Sequence, residues 1–181
     1  MSSLPDGLTY VPEFVTPGEE RTLITLLDGL DYREVVMHGR AAKRVVRMFG
    51  LDYDYSSREL VDADPLPDRL EPLRERCAGL IRREPADLVQ ILVSRYPPGA
   101  GIGWHRDAPM FGSKIAGVSL LGASRMRFQR GKGTEREVAA LELAPRSAYV
   151  LSGPARWSWQ HSIPATRALR HSITFRTLKR G

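Results

Sequence analysis

Two histidines and an aspartate in this sequence are of the types that bind transition metals. His105 and Asp107 stand two positions apart, and His161 follows much later in the chain. Side chains at positions i and i+2 of an extended segment point to one face, so His105 and Asp107 could hold one ion together. Two histidines and one carboxylate leave three coordination positions open, which is the arrangement of non-haem Fe(II) oxygenases. The pattern therefore predicts an iron site.

The same residue types are compatible with other roles. Zinc binds such ligands as a tetrahedral site closed by a water molecule. Both histidines could also be ordinary surface or core residues with hydrogen-bonded rings. A histidine followed two positions later by an acid arises readily by chance, so the motif needs support from elsewhere in the chain.

Two arginines near the C-terminal end supply that support. Arg170 and Arg176 share one face of an alternating segment, RHSITFRT, in which His171, Ile173 and Phe175 occupy the other face. A guanidinium matches a carboxylate with two parallel hydrogen bonds, which suits a small dicarboxylate held near the metal. Such a spacing arises easily in an arginine-rich chain, so it gains weight only beside the metal triad.

Residues 38–55 combine positive charge with aromatic rings. Positive charge binds phosphates and aromatic rings stack on bases, so the segment predicts contacts with a flipped or single-stranded base. The candidate substrate-binding residues are Arg40, Lys43, Arg44, Arg47, Tyr53 and Tyr55. The alternative is a solvated basic hairpin with aromatic residues in the core. The whole chain, with 27 Lys+Arg against 21 Asp+Glu, favours a polyanionic partner.

Two helices and a series of strands must position these residues. Residues 16–30 begin with a capping box of Thr16 and Glu19 and a proline at the first helical position, which predicts a helix. A second helix is expected at 68–83, with an irregular or separate first turn because of Pro72. From residue 87 onward, Gly, Pro and Ser turns separate six β-rich runs: VQILVSRY, KIAGVSLL, RMRFQR, REVAALEL, SAYVLSG and RHSITFRTL. Helices followed by strands predict an α+β fold whose second part is a sandwich or jelly roll.

Length and composition limit the class of protein. A chain of 181 residues with 42% apolar content can bury one core, so a single domain over 1–181 is predicted. Its first part, with the helices and a lid formed by the basic segment 38–55, would cover about 1–86. Its jelly-roll core would cover about 87–178. Cys77, the single cysteine, lies in an apolar helical pattern and is predicted to be a core residue. Neither a signal peptide nor a membrane-length apolar run is visible, so a cytoplasmic location is expected. The protein is also expected to be a monomer.

Three segments together resemble the AlkB-like Fe(II)/2-oxoglutarate-dependent dioxygenases. They are SRYPPGAGIGWHRD, GPARWSWQHSI and RHSITFR, in the order and at the spacing of that family. The resemblance implies a double-stranded β-helix, a form of jelly roll, with N-terminal supporting helices and the metal at its open mouth. It also implies Fe(II), 2-oxoglutarate and O2 as cofactors, with His105, Asp107 and His161 as the metal ligands and catalytic centre.

The resemblance further implies roles for residues around the cosubstrate. Arg170 would pair with the far carboxylate of 2-oxoglutarate, Tyr96 would hydrogen-bond the cosubstrate, and Arg176 would lie beside its metal-bound end. Ser94, which is grouped with these cosubstrate residues, stands where the DNA-repair members carry an asparagine. Pro109 replaces a second acid that contacts the damaged base in those members, so the base specificity of this chain is in question.

The implied reaction is oxidative dealkylation of N-alkylated, for example methylated, bases in DNA or RNA. The alkyl group is hydroxylated and leaves as an aldehyde, while 2-oxoglutarate becomes succinate and carbon dioxide. The segment PRSAYVLSGPARWSWQHSI is equally similar to branches linked to protein or transfer-RNA substrates, so a methylated protein side chain is an alternative substrate. A non-catalytic β-sandwich that binds nucleic acid through its basic surface and a zinc-containing jelly-roll enzyme are further hypotheses.

Overall fold

The structure is a computed structural model that describes residues 3–37, 39–54, 57 and 59–179. The α-helices of this part of the chain are α1 (Pro17–Asp28), α2 (Glu71–Ile81) and α3 (Gly153–Trp157). The strands of its first part are β1 (Leu8–Val11), β2 (Arg33–Met37), β3 (Arg40–Asp54) and β4 (Glu59–Asp62). Those of its second part are β5 (Gln90–Tyr96), β6 (Ile102–His105), β7 (Phe111–Leu121), β8 (Ser124–Arg130), β9 (Glu137–Leu143), β10 (Ser147–Leu151), β11 (Gln160–Ile163) and β12 (Arg170–Leu178).

Both predicted helices form, and their ends follow local rules. The Thr16 side chain accepts a hydrogen bond from the Glu19 backbone, and the Glu19 carboxylate accepts one from the Thr16 backbone, so the capping box begins α1. A separate 3-10 turn, Asp68–Leu70, precedes α2, as expected from the proline near the start of that helix. Cys77 is buried in the core on α2, and burial raises the pKa of its thiol to about 12.

The strands form two antiparallel sheets that lie face to face. Within the described residues, the larger sheet has the order β1-β10-β7-β12-β5-β3-β2, with β4 paired to β3, and the smaller has the order β6-β11-β8-β9. Each of the six β-rich runs predicted after residue 87 contains a strand. This architecture is the predicted α+β jelly roll. Strand β3 pairs with β5, so the two parts of the predicted single domain share one sheet.

Two hydrophobic clusters hold the layers together. One lies between the larger sheet and the two long helices and includes Leu27 of α1, Ile81 of α2 and Phe175 of β12. The other lies between the two sheets and includes Phe128 of β8 and Leu151 of β10. Since the helices cover the outer face of the larger sheet, its inner face is left to form a cavity with the smaller sheet.

Strand β12 follows the predicted alternation and separates the two environments. Its odd-numbered residues, Ile173 and Phe175, belong to the cluster under the helices. The even-numbered residues from Arg170 to Arg176 line the cavity between the sheets. The strand thus carries two guanidinium groups into the interior from a backbone that the helices hold rigidly. No helix of the described residues is long and apolar enough to cross a membrane.

Candidate metal and cosubstrate site

Antiparallel pairing brings the three predicted metal ligands together. His105 at the end of β6 lies directly opposite His161 on β11, and their ring centroids are 4.3 Å apart. Asp107 follows two residues after His105, and its Oδ2 atom is 3.6 Å from His161 Nε2. One ligand atom of each residue lies within 4.8 Å of the others. Two nitrogens and one carboxylate oxygen at this separation can bind one divalent ion on one side and leave the other side open.

Both imidazoles are held in the form that binds a metal. Burial and the neighbouring His105 lower the pKa of His161 to about 3. Burial also lowers the pKa of His105 despite the nearby Asp107, and the charges of Arg176 and Arg44 act in the same direction. His105 Nδ1 lies 2.8 Å from the Gly103 carbonyl oxygen, a contact that the ring makes as a donor. Nε2 of a neutral His105 then carries the free lone pair.

Arg176 fixes the carboxylate of Asp107. Its Nε donates to Asp107 Oδ1 at 2.8 Å, its Nη2 donates to the same oxygen, and its Nη1 donates to Gln90 Oε1 at 2.8 Å. The Asp107 side chain is 4% exposed, and burial alone would raise its pKa, but the Arg176 guanidinium beside it holds that pKa below its usual range. The carboxylate is therefore ionised, with Oδ2 free for a metal.

Arg156, at the end of α3, holds the loop that carries Asp107. Its guanidinium donates to the backbone carbonyls of Asp107 at 3.0 Å, Ala108 at 2.9 Å, Phe111 at 3.3 Å and Gly112 at 3.2 Å. A buried cation that satisfies four carbonyls of the segment 107–112, which leads from the loop after β6 into β7, fixes the path of that segment. Arg156 was not among the predicted site residues, although it lies within the GPARWSWQHSI segment.

Arg170 provides a second polar centre in the same cavity. It is 1% exposed, its Nη2 donates to Ser119 Oγ at 2.9 Å, and its guanidinium lies 5.0 Å from the centroid of the Tyr96 ring. Its Nε and Nη1 have no hydrogen-bond partner among the described residues. A buried guanidinium with two unpartnered nitrogens is suited to receive a carboxylate. The residues present therefore fit both an Fe(II) ion and a dicarboxylate such as 2-oxoglutarate.

A cavity of about 260 Å³ joins these groups. Ser94 and Tyr96, the other predicted cosubstrate residues, both line it. So does Tyr149 of β10, which sequence reasoning missed because the residue looks like one more apolar position of a strand. Burial raises the pKa of Tyr149 to about 12, so its hydroxyl stays protonated. A Cβ at Gly117 would lie 2.3 Å from Tyr149 Cζ, so only glycine leaves room for this ring.

Two further polar residues of the site could have been found from the sequence. Gln90 and Ser119 each interrupt an otherwise apolar run, and a polar residue on a buried strand needs a partner. Gln90 is the cross-strand partner of Arg176 on β12, and Ser119 pairs in register with Ser172 of the same strand. Strand pairing, which local patterns do not reveal, brings them to the arginines.

The predicted substrate-binding residues of 38–55 do not form one surface. The side chains of Arg40 and Lys43 are exposed, whereas Arg44 is buried, lines the cavity and donates to Ser94 Oγ at 3.2 Å. Arg47 is engaged in an ion pair with Asp64. Tyr53 lines the cavity, and Tyr55 lies outside the described residues. The basic segment is a long strand, β3, and its alternation sends neighbouring cations to opposite faces.

The fold and this site together have the features of a metal-dependent oxygenase, and the sequence comparisons identify the family. The model of the 2OG-Fe(II) oxygenase superfamily matches residues 7–176, and the chain belongs to that superfamily. Within it, the chain is AlkB-like. Membership implies Fe(II), 2-oxoglutarate and O2 as cofactors.

Two relatives are similar to this chain in sequence, and one solved structure is similar to it in fold. The chain is 33% identical over 170 residues to the tRNA (carboxymethyluridine(34)-5-O)-methyltransferase alkbh8 of Xenopus tropicalis. This match covers 89% of this chain and 26% of that protein. It is 32% identical over 182 residues to the Alkylated DNA repair protein ALKBH8 homolog of Arabidopsis thaliana. This match covers 87% of this chain and 51% of that protein. The chain thus spans a quarter to a half of these relatives. The structure of OsALKBH1 matches with a TM-score of 0.70 at 15% identity, covering 98% of this chain and 99% of that one, and supports the fold.

Proposed function

We propose that this chain is an Fe(II)- and 2-oxoglutarate-dependent oxidative dealkylase that acts on N-alkylated bases of DNA or RNA. The observation that carries the proposal is the presence, in one cavity, of the cluster of His105, Asp107 and His161 and a buried Arg170 with two unpartnered nitrogens. One part fits a divalent ion and the other fits the far carboxylate of a dicarboxylate.

The residues of the chain have distinct roles in this proposal. His105, Asp107 and His161 hold the metal, and Arg170 and Tyr96 orient the cosubstrate. When bound, Fe(II), 2-oxoglutarate and O2 supply the oxidising chemistry that hydroxylates a C–H bond. The protein's part is to fix the geometry of the ligands and to keep the cavity closed to bulk water. A hydroxylated N-alkyl group then leaves as an aldehyde.

The nucleic-acid part of the proposal rests on two observations. The names of both relatives refer to tRNA or to alkylated DNA. In addition, Arg40 and Lys43 are exposed on the strand that also contributes Arg44 and Tyr53 to the cavity. Exposed cations on a strand that also lines a pocket with an aromatic ring suit a nucleotide whose phosphates stay outside while its base enters.

Succinate formation tests the proposal. It should be measured with Fe(II), 2-oxoglutarate and a panel of methylated DNA, methylated RNA and methylated peptides, with Asp107→Ala as the inactive control. We expect methylated oligonucleotides, and not the peptides, to raise succinate formation and to lose their methyl group. Demethylation of peptides alone would replace the nucleic-acid substrate with a methylated protein side chain.

We further propose that the protein acts as a monomer in the cytoplasm. Its single cysteine is a buried thiol, as suits a reducing compartment. Light scattering after gel filtration should give a mass close to 20.3 kDa. A mass twice as large would replace the monomer with a dimer.

A further inference from the structure

Arg44 is a buried cation of the cavity that the roles described above leave without an opposite charge. It is 7% exposed, donates from Nη1 to Ser94 Oγ at 3.2 Å, and lies 5.9 Å from the centroid of the Tyr96 ring. Among the residues that the structure describes, no carboxylate forms an ion pair with it. Since a buried charge is costly without a partner, a bound molecule is the natural source of the missing acceptor.

The charge balance of the cavity supports this view. Of the described residues that line it, four are arginines, Arg44, Arg106, Arg170 and Arg176, and one is an acid, Asp107. None of the residues outside the described ranges is acidic. Arg176 is already paired with Asp107. Fe(II) and the 2-oxoglutarate dianion carry equal and opposite charges, so loading both leaves the excess positive charge in place.

We propose that Arg44 makes this site select an uncharged substrate base that offers a carbonyl oxygen and reject a base that carries a positive charge. This inference rests on the proposed function and names its substrate class. The guanidinium can donate to a carbonyl oxygen of the base, whereas it repels a cationic base in a cavity where water screens charges poorly. Met48 and Tyr53 line the same cavity and provide an apolar and aromatic wall for either kind of base.

Two bases that differ in charge but hardly in shape test the selection. In 3-methyluracil the ring is neutral and carries a carbonyl oxygen at position 4, whereas 3-methylcytosine has a nitrogen there and is largely protonated at neutral pH. Both carry the methyl group on the same ring nitrogen. Placed at one position of the same oligonucleotide, they present identical phosphates. We expect the wild-type protein to demethylate the 3-methyluracil oligonucleotide with a kcat/KM higher by a factor on the order of ten or more.

Binding provides a readout that does not depend on turnover. In fluorescence anisotropy with metal-free protein, the labelled 3-methyluracil oligonucleotide should also bind more tightly than the labelled 3-methylcytosine oligonucleotide. Arg44→Gln should bring the ratio of the two affinities close to one, mainly by weakening the 3-methyluracil oligonucleotide. Lys43→Gln removes the same charge from the exposed neighbouring residue and serves as the matched control. It should weaken both oligonucleotides by the same factor and leave the ratio unchanged.

The possible results separate the inference from the function on which it rests. A wild-type preference for 3-methylcytosine overturns the selection while the dealkylase proposal survives. If Arg44→Gln weakens both oligonucleotides equally, Arg44 contacts a phosphate and the selection is wrong. If the variant raises only the KM for 2-oxoglutarate, Arg44 belongs to the cosubstrate site, and the selection is again wrong. If neither oligonucleotide binds or is turned over, the proposed function fails and the inference falls with it. The wild-type preference decides the matter even if Arg44→Gln does not fold.

Discussion

Arg176 donates hydrogen bonds from both Nε and Nη2 to a single oxygen of Asp107, while the other oxygen of that carboxylate lies toward His161. The arrangement separates two tasks within one side chain. Oδ1 is bound by the guanidinium, which keeps the carboxylate ionised and oriented, and Oδ2 remains available to a metal. Replacing an outer partner that fixes a ligand in this way commonly lowers metal affinity about 10- to 100-fold.

Arg176→Lys should therefore weaken metal binding. Lysine keeps the positive charge but cannot hold Asp107 and Gln90 with a fixed fork of N–H groups. We expect the dissociation constant for Co(II), measured by calorimetry on metal-free protein, to rise about tenfold or more. Arg21→Lys, on the exposed surface of α1, is the matched control and should bind Co(II) like the wild type. Equal affinities of Arg176→Lys and the control would show that Asp107 does not need this partner.

Arg156→Lys tests the support of the Asp107 loop. The substitution removes most of the four contacts to carbonyls between residues 107 and 112, so this loop should open more often. Hydrogen exchange of the amides in 108–112 should accelerate, while exchange in α1 and α2 stays as in the wild type. Co(II) affinity should fall by a factor on the order of ten. Faster exchange with unchanged metal affinity would mean that the loop does not position Asp107.

Arg170→Lys should act on the cosubstrate and spare the metal. The ammonium group retains the charge but loses the bidentate match to a carboxylate. We expect the apparent KM for 2-oxoglutarate to rise by a factor of about ten, as follows from a charge-assisted pair worth about 1.5 kcal/mol. Co(II) affinity without 2-oxoglutarate should not change. An unchanged KM would assign the far carboxylate to another residue.

Much of this site could be predicted from the sequence because it depends on local patterns. The capping box of α1, the alternation of β12 and the i, i+2 spacing of His105 and Asp107 are all properties of neighbouring residues. The position of Arg44 could not be predicted in the same way. The preceding residue, Lys43, is also basic but exposed, and only the pairing of β3 with β5 places the Arg44 side chain beside Ser94, inside the cavity.

The same limit explains why Arg156 and Tyr149 were missed. Both act through contacts with residues distant in the chain. Arg156 contacts the segment 107–112, and Tyr149 packs against Gly117 of the paired strand β7. Local periodicity reports which face a residue occupies but not what meets that face. The order in which distant strands pair decides which residues meet that face, and the patterns of a single sequence contain little information about this order.

A second buried histidine outside the metal cluster predicts how stability depends on pH. His171 is fully buried on β12, near Tyr32, and neither ring nitrogen has a hydrogen-bond partner among the described residues. Burial lowers the pKa of His171 to about 4. The charges of Arg95 and Arg170 also lower this pKa, whereas the charge of Asp28 raises it. The folded protein thus holds this ring neutral, while the unfolded chain binds a proton below about pH 6.5. Stability contributed by the neutral ring is present above that pH and is lost as pH falls toward 4.

His171→Phe should remove this part of the acid sensitivity. The free energy of unfolding of the wild type should fall, relative to that of the variant, by roughly 1 kcal/mol per pH unit between pH 6 and 4. Urea denaturation at a series of pH values measures both proteins, and the difference between them cancels the contributions of the other histidines. Parallel curves across this range would mean that His171 is protonated in the folded state.

Anaerobic Fe(II) binding in the presence of 2-oxoglutarate tests the metal cluster most directly. Wild-type protein should bind one Fe(II) per chain, as measured by equilibrium dialysis, and should form succinate when O2 is admitted. His105→Ala, Asp107→Ala and His161→Ala should each bind Fe(II) more weakly by a factor on the order of ten or more and form no succinate above background, while remaining folded by circular dichroism. His171→Phe, which removes a histidine outside the cluster, should behave like the wild type. A folded alanine variant of any of the three that binds Fe(II) and forms succinate at the wild-type level would contradict the assignment of these residues as the metal site.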